Sequence, residues 1–389
     1  MGRKGIFFMK NDNIKRPYRV LIFSMTCGQG HNMIAKSLKE SFKDFDATVK
    51  IEQFYDSSKK IKRANNQYFF VCKHFPNLYD KIWNRLRKKN HYKKNKLPFF
   101  ARNALKHFKN VIEEFKPDII VCTHLYASAV ISYMKTNEIL SKGIITSTIL
   151  FDFTLAPYWE YSKNVDYIFQ PFENTTRDLK NKGFSDNQII TLGMPVRKEF
   201  CLAYDTNQYK DKLNLASKFT IMLQAGGGGI GKNEELVKKL YYNLKDINII
   251  CVNGSNKKSF ANIEKFISKT EAKNIYNLGF VNNLYDYMKA SDLILTKGGG
   301  NGISEILALK KPFVIRENMI INEKINCEFL VKEGVALTAN NIDGIIKLCQ
   351  ELKDDNSKLD GLLENISKFS KPNASNDIAL FLLNRFNNK

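Results

Sequence analysis

LGFVNNLYDYMKASDLILTKGGGNGISEILALKKPFVI, residues Leu278–Ile315, packs three structural instructions into one stretch. A short apolar run ends in a turn at Asn282-Asn283, an amphipathic stretch follows through Leu284, Tyr287 and Met288, and Leu293–Thr296 reads as a buried strand. That strand runs straight into Gly298-Gly299-Gly300-Asn301-Gly302, after which Ser304-Glu305 opens a helical stretch. Glycines at a strand-to-helix turn let the backbone come close to a ligand, and the new helix N-terminus offers unpaired N–H groups and a positive dipole end to a phosphate. Glu305, read as a first-turn carboxylate, cannot hold a phosphate but can accept hydrogen bonds from two ribose hydroxyls. Together these features describe a site for a nucleoside diphosphate.

Two further loops repeat the arrangement. Phe219–Ala225 (FTIMLQA) is strand-like and leads into Gly226-Gly227-Gly228-Gly229-Ile230-Gly231, with a helical pattern from Asn233. Val20–Met25 (VLIFSM) leads into Thr26-Cys27-Gly28-Gln29-Gly30-His31, and the following helix carries Ile34, Leu38 and Phe42 on one face. A single glycine cluster is a weak signal, because turns and linkers supply most of them. Recurrence between a strand and a helix favours a phosphate cradle over a spacer. An ATP-type loop is excluded, since Lys232 is followed by Asn233 rather than Ser or Thr. Strand-like runs at Thr48–Phe54, Asp118–Thr123, Gly143–Phe151, Tyr167–Pro171 and Gln188–Gly193 continue the first half. Asn248–Val252, Asn274–Phe280, Pro312–Arg316 and Val335–Thr338 continue the second. Strands alternating with helices predict a parallel, doubly wound sheet in each half, with ligands at the strands' carboxyl ends.

The composition of the 389 residues, 43% hydrophobic, allows two domain-sized cores. No stretch approaches the roughly 18 apolar residues that cross a bilayer. The apolar run Ile6–Met9 is too short for a signal peptide, and seven cysteines without a C-x-x-C pair fit a reducing compartment. The net charge of +22 is concentrated: between Lys59 and Asn110 sixteen Lys or Arg face one acid, Asp80. Aromatics including Phe75, Tyr79, Trp83, Tyr92 and Phe108 are interleaved with them. Such a segment suits an anionic bilayer, with cations at headgroups and rings at the interface. It also suits single-stranded nucleic acid, or a solvated basic face over core aromatics. Asp44-Phe45-Asp46 spells a metal-binding pair, but between a helix and a strand and away from the glycine loops it reads as a solvated turn.

Three residues qualify as a general base. His31 closes the first glycine loop at a helix start, where the dipole lowers its pKa and favours the neutral form. Asp152 follows the apolar run Ile145–Phe151 and should stand at a strand's carboxyl end, and His124 ends another strand. The plainer alternatives are a loop-capping histidine and an N-cap or turn aspartate.

In order along the chain, several pieces resemble one family: the Gly28–His31 loop, Pro117-Asp118…Thr123-His124, Asp152…Trp159, Gly193-Met194-Pro195-Val196-Arg197…Phe200, the Gly226–Gly231 loop, Gly279-Phe280-Val281 and Thr296–Glu305. From about Arg19 to Leu337 the chain resembles the monogalactosyldiacylglycerol synthase and processive diacylglycerol glucosyltransferase group of glycosyltransferase family 28. Three departures stand out. Gly298 replaces the family's proline after the Thr-Lys pair, Ala156 stands where a histidine is common, and Ile320-Ile321-Asn322-Glu323 replaces Pro-Gly-Gln-Glu.

The resemblance implies an α/β fold of the GT-B type, two Rossmann-like doubly wound domains facing a cleft. Residues 1–18 would be an N-terminal extension, 19–202 the acceptor and membrane domain, and 203–375 the UDP-sugar domain. Residues 376–389 would form a helix crossing back to the first domain. It implies an inverting transfer of a hexose from UDP-glucose or UDP-galactose to diacylglycerol or a related lipid, with no metal or other cofactor. The enzyme would be peripheral on an anionic membrane surface at the cytoplasmic face, without a nucleic-acid partner. Donor contacts would come from Gly226, Gly227, Gly228, Gly229, Phe280, Val281, Lys297, Gly298, Gly299, Gly300, Asn301 and Ser304. Glu305 would bind the ribose, and Asn322, Glu323 and Asn326 would face the sugar. Gly28, Gly30, Trp83, Arg85, Arg87, Lys88, Lys89, Lys93 and Lys94 would serve acceptor and membrane. Alternatives are a transferase to another lipid-linked acceptor, a UDP-sugar epimerase of the same fold, and a non-catalytic nucleic-acid-binding protein.

Overall fold

The computed structural model describes residues 16–25, 30–53, 71, 75–93, 96–97, 101–224, 233–316 and 320–389. Gly28, Lys94, Gly226, Gly227, Gly228 and Gly229 therefore lie outside the described residues. The chain forms two compact units, residues 1–198 with 373–389, and residues 199–372.

The first unit is built on a six-stranded sheet, β1 (Tyr18–Ser24), β2 (Ala47–Gln53), β3 (Ile119–Cys122), β4 (Ile145–Ile149), β5 (Tyr167–Gln170) and β6 (Ile189–Thr191), in the order β2-β1-β3-β4-β5-β6. All neighbouring pairs are parallel. The sequence accounts for strand positions. IIVC in β3 is buried throughout, as a strand covered on both faces must be, whereas ATVKIEQ in β2 mixes charge with apolar residues and takes the half-exposed edge. Around the sheet are α1 (Gly30–Lys43), α2 (Pro76–Arg87), α3 (Leu105–Phe115), α4 (Leu125–Thr136) and α5 (Thr176–Asn181). Ile34, Leu38 and Phe42 of α1 are fully buried, and Phe108 of α3 stacks on Phe23 at 3.9 Å between centroids.

In the second unit the strands are β7 (Phe219–Gln224), β8 (Ile247–Val252), β9 (Ile275–Leu278), β10 (Leu293–Thr296), β11 (Phe313–Ile315) and β12 (Leu337–Thr338), ordered β12-β11-β10-β7-β8-β9. This sheet is also parallel. Its helices are α6 (Thr206–Lys212), α7 (Asn233–Asn243), α8 (Lys257–Thr270), α9 (Leu284–Ala290), α10 (Gly300–Ala308), α11 (Ile321–Lys332), α12 (Ile342–Asp354) and α13 (Asn356–Phe369). The last helix, α14 (Ala374–Asn387), belongs to the first unit and packs on α1. There Tyr18 donates its hydroxyl to Asn387 Oδ1 at 3.0 Å, and Phe381 meets Tyr167 edge-on.

Strand order creates one reversal in each sheet, between β1 and β3 and between β7 and β10, where consecutive crossovers diverge and leave a crevice at the carboxyl ends. In the second unit, helix α10 begins at Gly300 with Gly299 as its N-cap, so Glu305 sits in the second turn and not the first. The glycines themselves allow this. Gly300 and Gly302 accept helical angles at a cost of about 1 kcal/mol each relative to Ala, and the helix reaches back into the run. Positive φ is not what they supply: among the described residues, glycines with such angles are Gly183, Gly193, Gly254 and Gly334.

Candidate functional site

At the β1–β3 reversal the first unit gathers a buried polar cluster. His31, the second residue of α1, is 9% exposed, and its Nδ1 lies 2.5 Å from the carbonyl of Thr123. A carbonyl oxygen can only accept, so Nδ1 carries the hydrogen and the neutral ring keeps its lone pair on Nε2. The ring packs on Phe151 at 4.3 Å and on His124 at 4.7 Å between centroids. Burial pushes the His31 pKa down to about 4, against a raising contribution from the Thr123 bond. The neutral state expected from the sequence is thus driven first by desolvation, not by the helix dipole.

His124 takes the opposite tautomer. It is the N-cap of α4, and its Nδ1 accepts the backbone N–H of Tyr126 at 3.1 Å. With that lone pair engaged, the neutral ring carries its hydrogen on Nε2. Burial, and then the nearby His31, hold its pKa well below the histidine range. Asp152 follows Phe151 past the end of β4 and is half-buried. Beneath these groups Asn32 Oδ1 accepts from Ser24 Oγ at 2.9 Å and Gln53 Nε2 at 3.1 Å, and Thr123 Oγ1 donates to Ser24 Oγ at 3.2 Å. Gly30 opens α1. Asp44-Phe45-Asp46 forms a turn leading into β2, with both aspartates exposed at the amino ends of the strands, away from the carboxyl-end crevice.

The basic segment has two faces. Trp83 is 5% exposed, the buried residue of α2, with the Arg87 guanidinium over its ring at 5.3 Å. Its expected place at a membrane surface is therefore corrected: helical spacing turns it inward. Arg87 is likewise engaged, pairing with Asp178 at 2.5 Å. Lys182 caps the segment's carbonyls at Arg87 and Lys89 and pairs with the buried Glu160 at 3.1 Å. Outward, Phe75, Leu78 and Ile82 form a stripe at helical spacing with exposures of 51, 52 and 48%. Lys81, Arg85, Lys88, Lys89 and Lys93 are exposed around it.

In the second unit the residues after β10 and those opening α11 are stitched together. Lys297 Nζ pairs with Glu323 Oε1 at 2.6 Å, and Asn326 Nδ2 donates to Gly298 O at 2.8 Å. A Cβ on Gly299 would stand in ordinary contact with Lys297 Cε at 3.7 Å and Glu323 Oε1 at 3.8 Å. Ser304, Glu305, Glu323 and Asn326 are buried, while Asn301 and Asn322 are half-buried. Phe280 (69% exposed) and Val281 follow the end of β9 at the same carboxyl edge. The sequence reading passed over Arg316 and Gln224. Arg316, 6% exposed, follows β11, and its Nη2 lies 3.4 Å from the Gln224 carbonyl at the end of β7. The available signal was a charged residue closing the apolar run Pro312–Ile315.

Comparison with known proteins matches both units. Residues 31–196 match the monogalactosyldiacylglycerol (MGDG) synthase family, and residues 226–379 match the glycosyltransferase family 28 C-terminal domain. A processive diacylglycerol beta-glucosyltransferase of Bacillus pumilus is 26% identical over 376 residues, covering 92% of this chain and 93% of that protein. The chloroplastic monogalactosyldiacylglycerol synthase 3 of Arabidopsis thaliana is 24% identical, covering 97% of this chain and 83% of its own. Among solved structures, MurG of Acinetobacter baumannii superposes with a TM-score of 0.64 at 15% identity, over 95% of this chain and 100% of that one. A UDP-GlcNAc 2-epimerase from Neisseria meningitidis superposes with 0.59 at 17% identity, over 94% of this chain and 100% of its own. Transferase and epimerase share this two-domain fold, so the fold alone does not separate them.

Proposed function

Because its two halves carry the MGDG synthase and family 28 C-terminal domains, this chain belongs to the family 28 glycosyltransferases, and we propose that it transfers a hexose from a UDP-sugar to diacylglycerol with inversion at the anomeric carbon. The observation that carries this reading is the pairing of a domain from a lipid-glycosylating family with a family 28 domain in one chain. UDP-glucose and UDP-galactose are the proposed donors, matching the glucosyl- and galactosyl-transferring relatives.

In the proposed reaction the acceptor hydroxyl oxygen attacks the anomeric carbon. The bond from that carbon to the β-phosphate oxygen breaks, UDP leaves with the electron pair, and the hydroxyl proton passes to a base. His31 Nε2 suits the base, because the Thr123 bond keeps its lone pair available and burial keeps the ring neutral at physiological pH. Asp152 is assigned to orienting the imidazole or the acceptor, and His124, as an Nε2–H donor, to holding an oxygen. In the second unit Glu305 would bind the ribose, Val281 the base through its backbone, and Asn322, Glu323 and Asn326 the sugar. The amides of Gly298 and Gly300 at the start of α10 would receive the diphosphate, which removes the need for a metal.

A peripheral position on the cytoplasmic membrane face accords with the outward stripe Phe75, Leu78 and Ile82 and its surrounding cations. Among the described residues no helix is long and apolar enough to cross a membrane. A UDP-release assay with UDP-glucose, UDP-galactose and UDP-N-acetylglucosamine, with and without diacylglycerol vesicles, tests the reading. Release from one donor that depends on the lipid supports it. Lipid-independent epimerisation, or no turnover of any donor, refutes it.

A further inference from the structure

Arg316 holds a position no other described cation of the second unit shares. Its backbone N–H is bonded to Thr296 O at 2.8 Å, and its guanidinium reaches Gln224 O at 3.4 Å. Thr296 and Gln224 are the last residues of β10 and β7, the two strands at the sheet's reversal. Since β11 lies two strands from β7, the side chain crosses the end of β10. It also borders a cavity of about 850 Å³ whose lining includes Leu236, Lys324, Cys327 and Ile342 together with the carboxylates Glu235, Glu328 and Asp343.

A second observation marks the same spot. Gln224 is 7% exposed and its Oε1 is buried without a donor among the described residues, while its Nε2 stands 3.7 Å from where a Gly302 Cβ would be. Buried polar atoms are satisfied in working proteins, by a ligand or water where the protein does not do so. This acceptor lies beside the first turn of α10, one turn before Glu305.

We propose that Arg316 is the cationic partner of the donor's diphosphate, and that Gln224 Oε1 accepts a hydroxyl of the same donor. The inference rests on the glycosyltransferase reading above. A guanidinium matches phosphate oxygens with a planar fork, and at a water-poor strand end its charge acts with little screening. It would stabilise UDP as it leaves.

The test is calorimetric titration of the full chain and its Arg316→Gln and Arg316→Lys variants with UDP and with uridine, which lacks phosphates. Arg316→Gln should weaken UDP by roughly tenfold or more, with uridine changed less than about twofold and Arg316→Lys intermediate. Preserved uridine binding also certifies a folded site. Unchanged UDP affinity in Arg316→Gln overturns the assignment, as does an equal fall for UDP and uridine, which would mark a structural role. A parent protein that binds no UDP refutes the donor reading itself, and this inference with it.

Discussion

Acid should loosen the first unit through His31, and the structure gives the size of the effect. The folded ring protonates only near pH 4, while in the unfolded chain it does so near 6.5. Because the folded value is the lower one, the unfolded state binds more protons between them. The contribution to stability is complete above about 6.5, declines through that window and is lost below about 4. Such a gap is worth roughly 3 kcal/mol in all, of which about 2 kcal/mol is lost between pH 7.5 and 4.5. His31→Asn removes the titrating group yet keeps an amide N–H to donate to Thr123 O. Urea unfolding followed by tryptophan fluorescence reports on this unit alone, since Trp83 and Trp159 both lie within it. The parent should lose about 2 kcal/mol more than His31→Asn on going from pH 7.5 to 4.5. His124 remains in both proteins, and relief of its repulsion with His31 widens the difference in the same direction. Equal losses would show that His31 is not held neutral by burial and would remove the basis for its role as base.

Turnover tests the same residue: His31→Asn should lower kcat by about a hundredfold with UDP affinity nearly unchanged, and Asp152→Asn should cost less; the reverse ranking would make Asp152 the base. Glu305→Gln, which weakens a charged acceptor for two ribose hydroxyls, should reduce UDP affinity by roughly tenfold in calorimetry, and unchanged binding would remove Glu305 from the site. Reversing charge at Lys88, Lys89, Lys93 and Lys94 should cut sedimentation with anionic vesicles by two orders of magnitude or more, at about 1 kcal/mol per cation lost. Leu78→Ser with Ile82→Ser should weaken binding in a way that high salt does not mimic. Vesicle binding indifferent to both sets would refute docking through α2.

Much of the fold was legible because parallel strands covered on both faces announce themselves as short apolar runs. Each of the twelve runs holds a strand, most of them trimmed at an end where the backbone turns into a loop, while β1, β2 and β8 begin one or two residues earlier. The start of α10 was misplaced for a local reason: glycines read as a loop, yet they accept helical angles once a following apolar stretch draws them in. The basic segment was legible in composition and not in orientation. Ten aromatics among sixteen cations say nothing of which ring faces inward. Packing decides that Trp83 and Phe108 are buried and that Leu78 and Ile82 face out.

The chemistry of the site depended on partners that no local pattern identifies. Arg316 ends an apolar run like any strand terminator, and only the order β11-β10-β7 carries its guanidinium to the end of a strand ninety-two positions earlier. The two histidines make the same point more sharply. Both stand at strand ends beside helix starts, and both are neutral by burial. His31 meets a carbonyl and must keep its hydrogen on Nδ1, whereas His124 meets an amide N–H and must keep it on Nε2. One ring thereby offers a lone pair on Nε2 and the other an N–H. The depressed pKa also shifts what can distinguish the bases: an acid limb near pH 4 is as compatible with His31 as with a carboxylate. A limb in that range therefore cannot choose between His31 and Asp152, and the ranking of the two variants must do so.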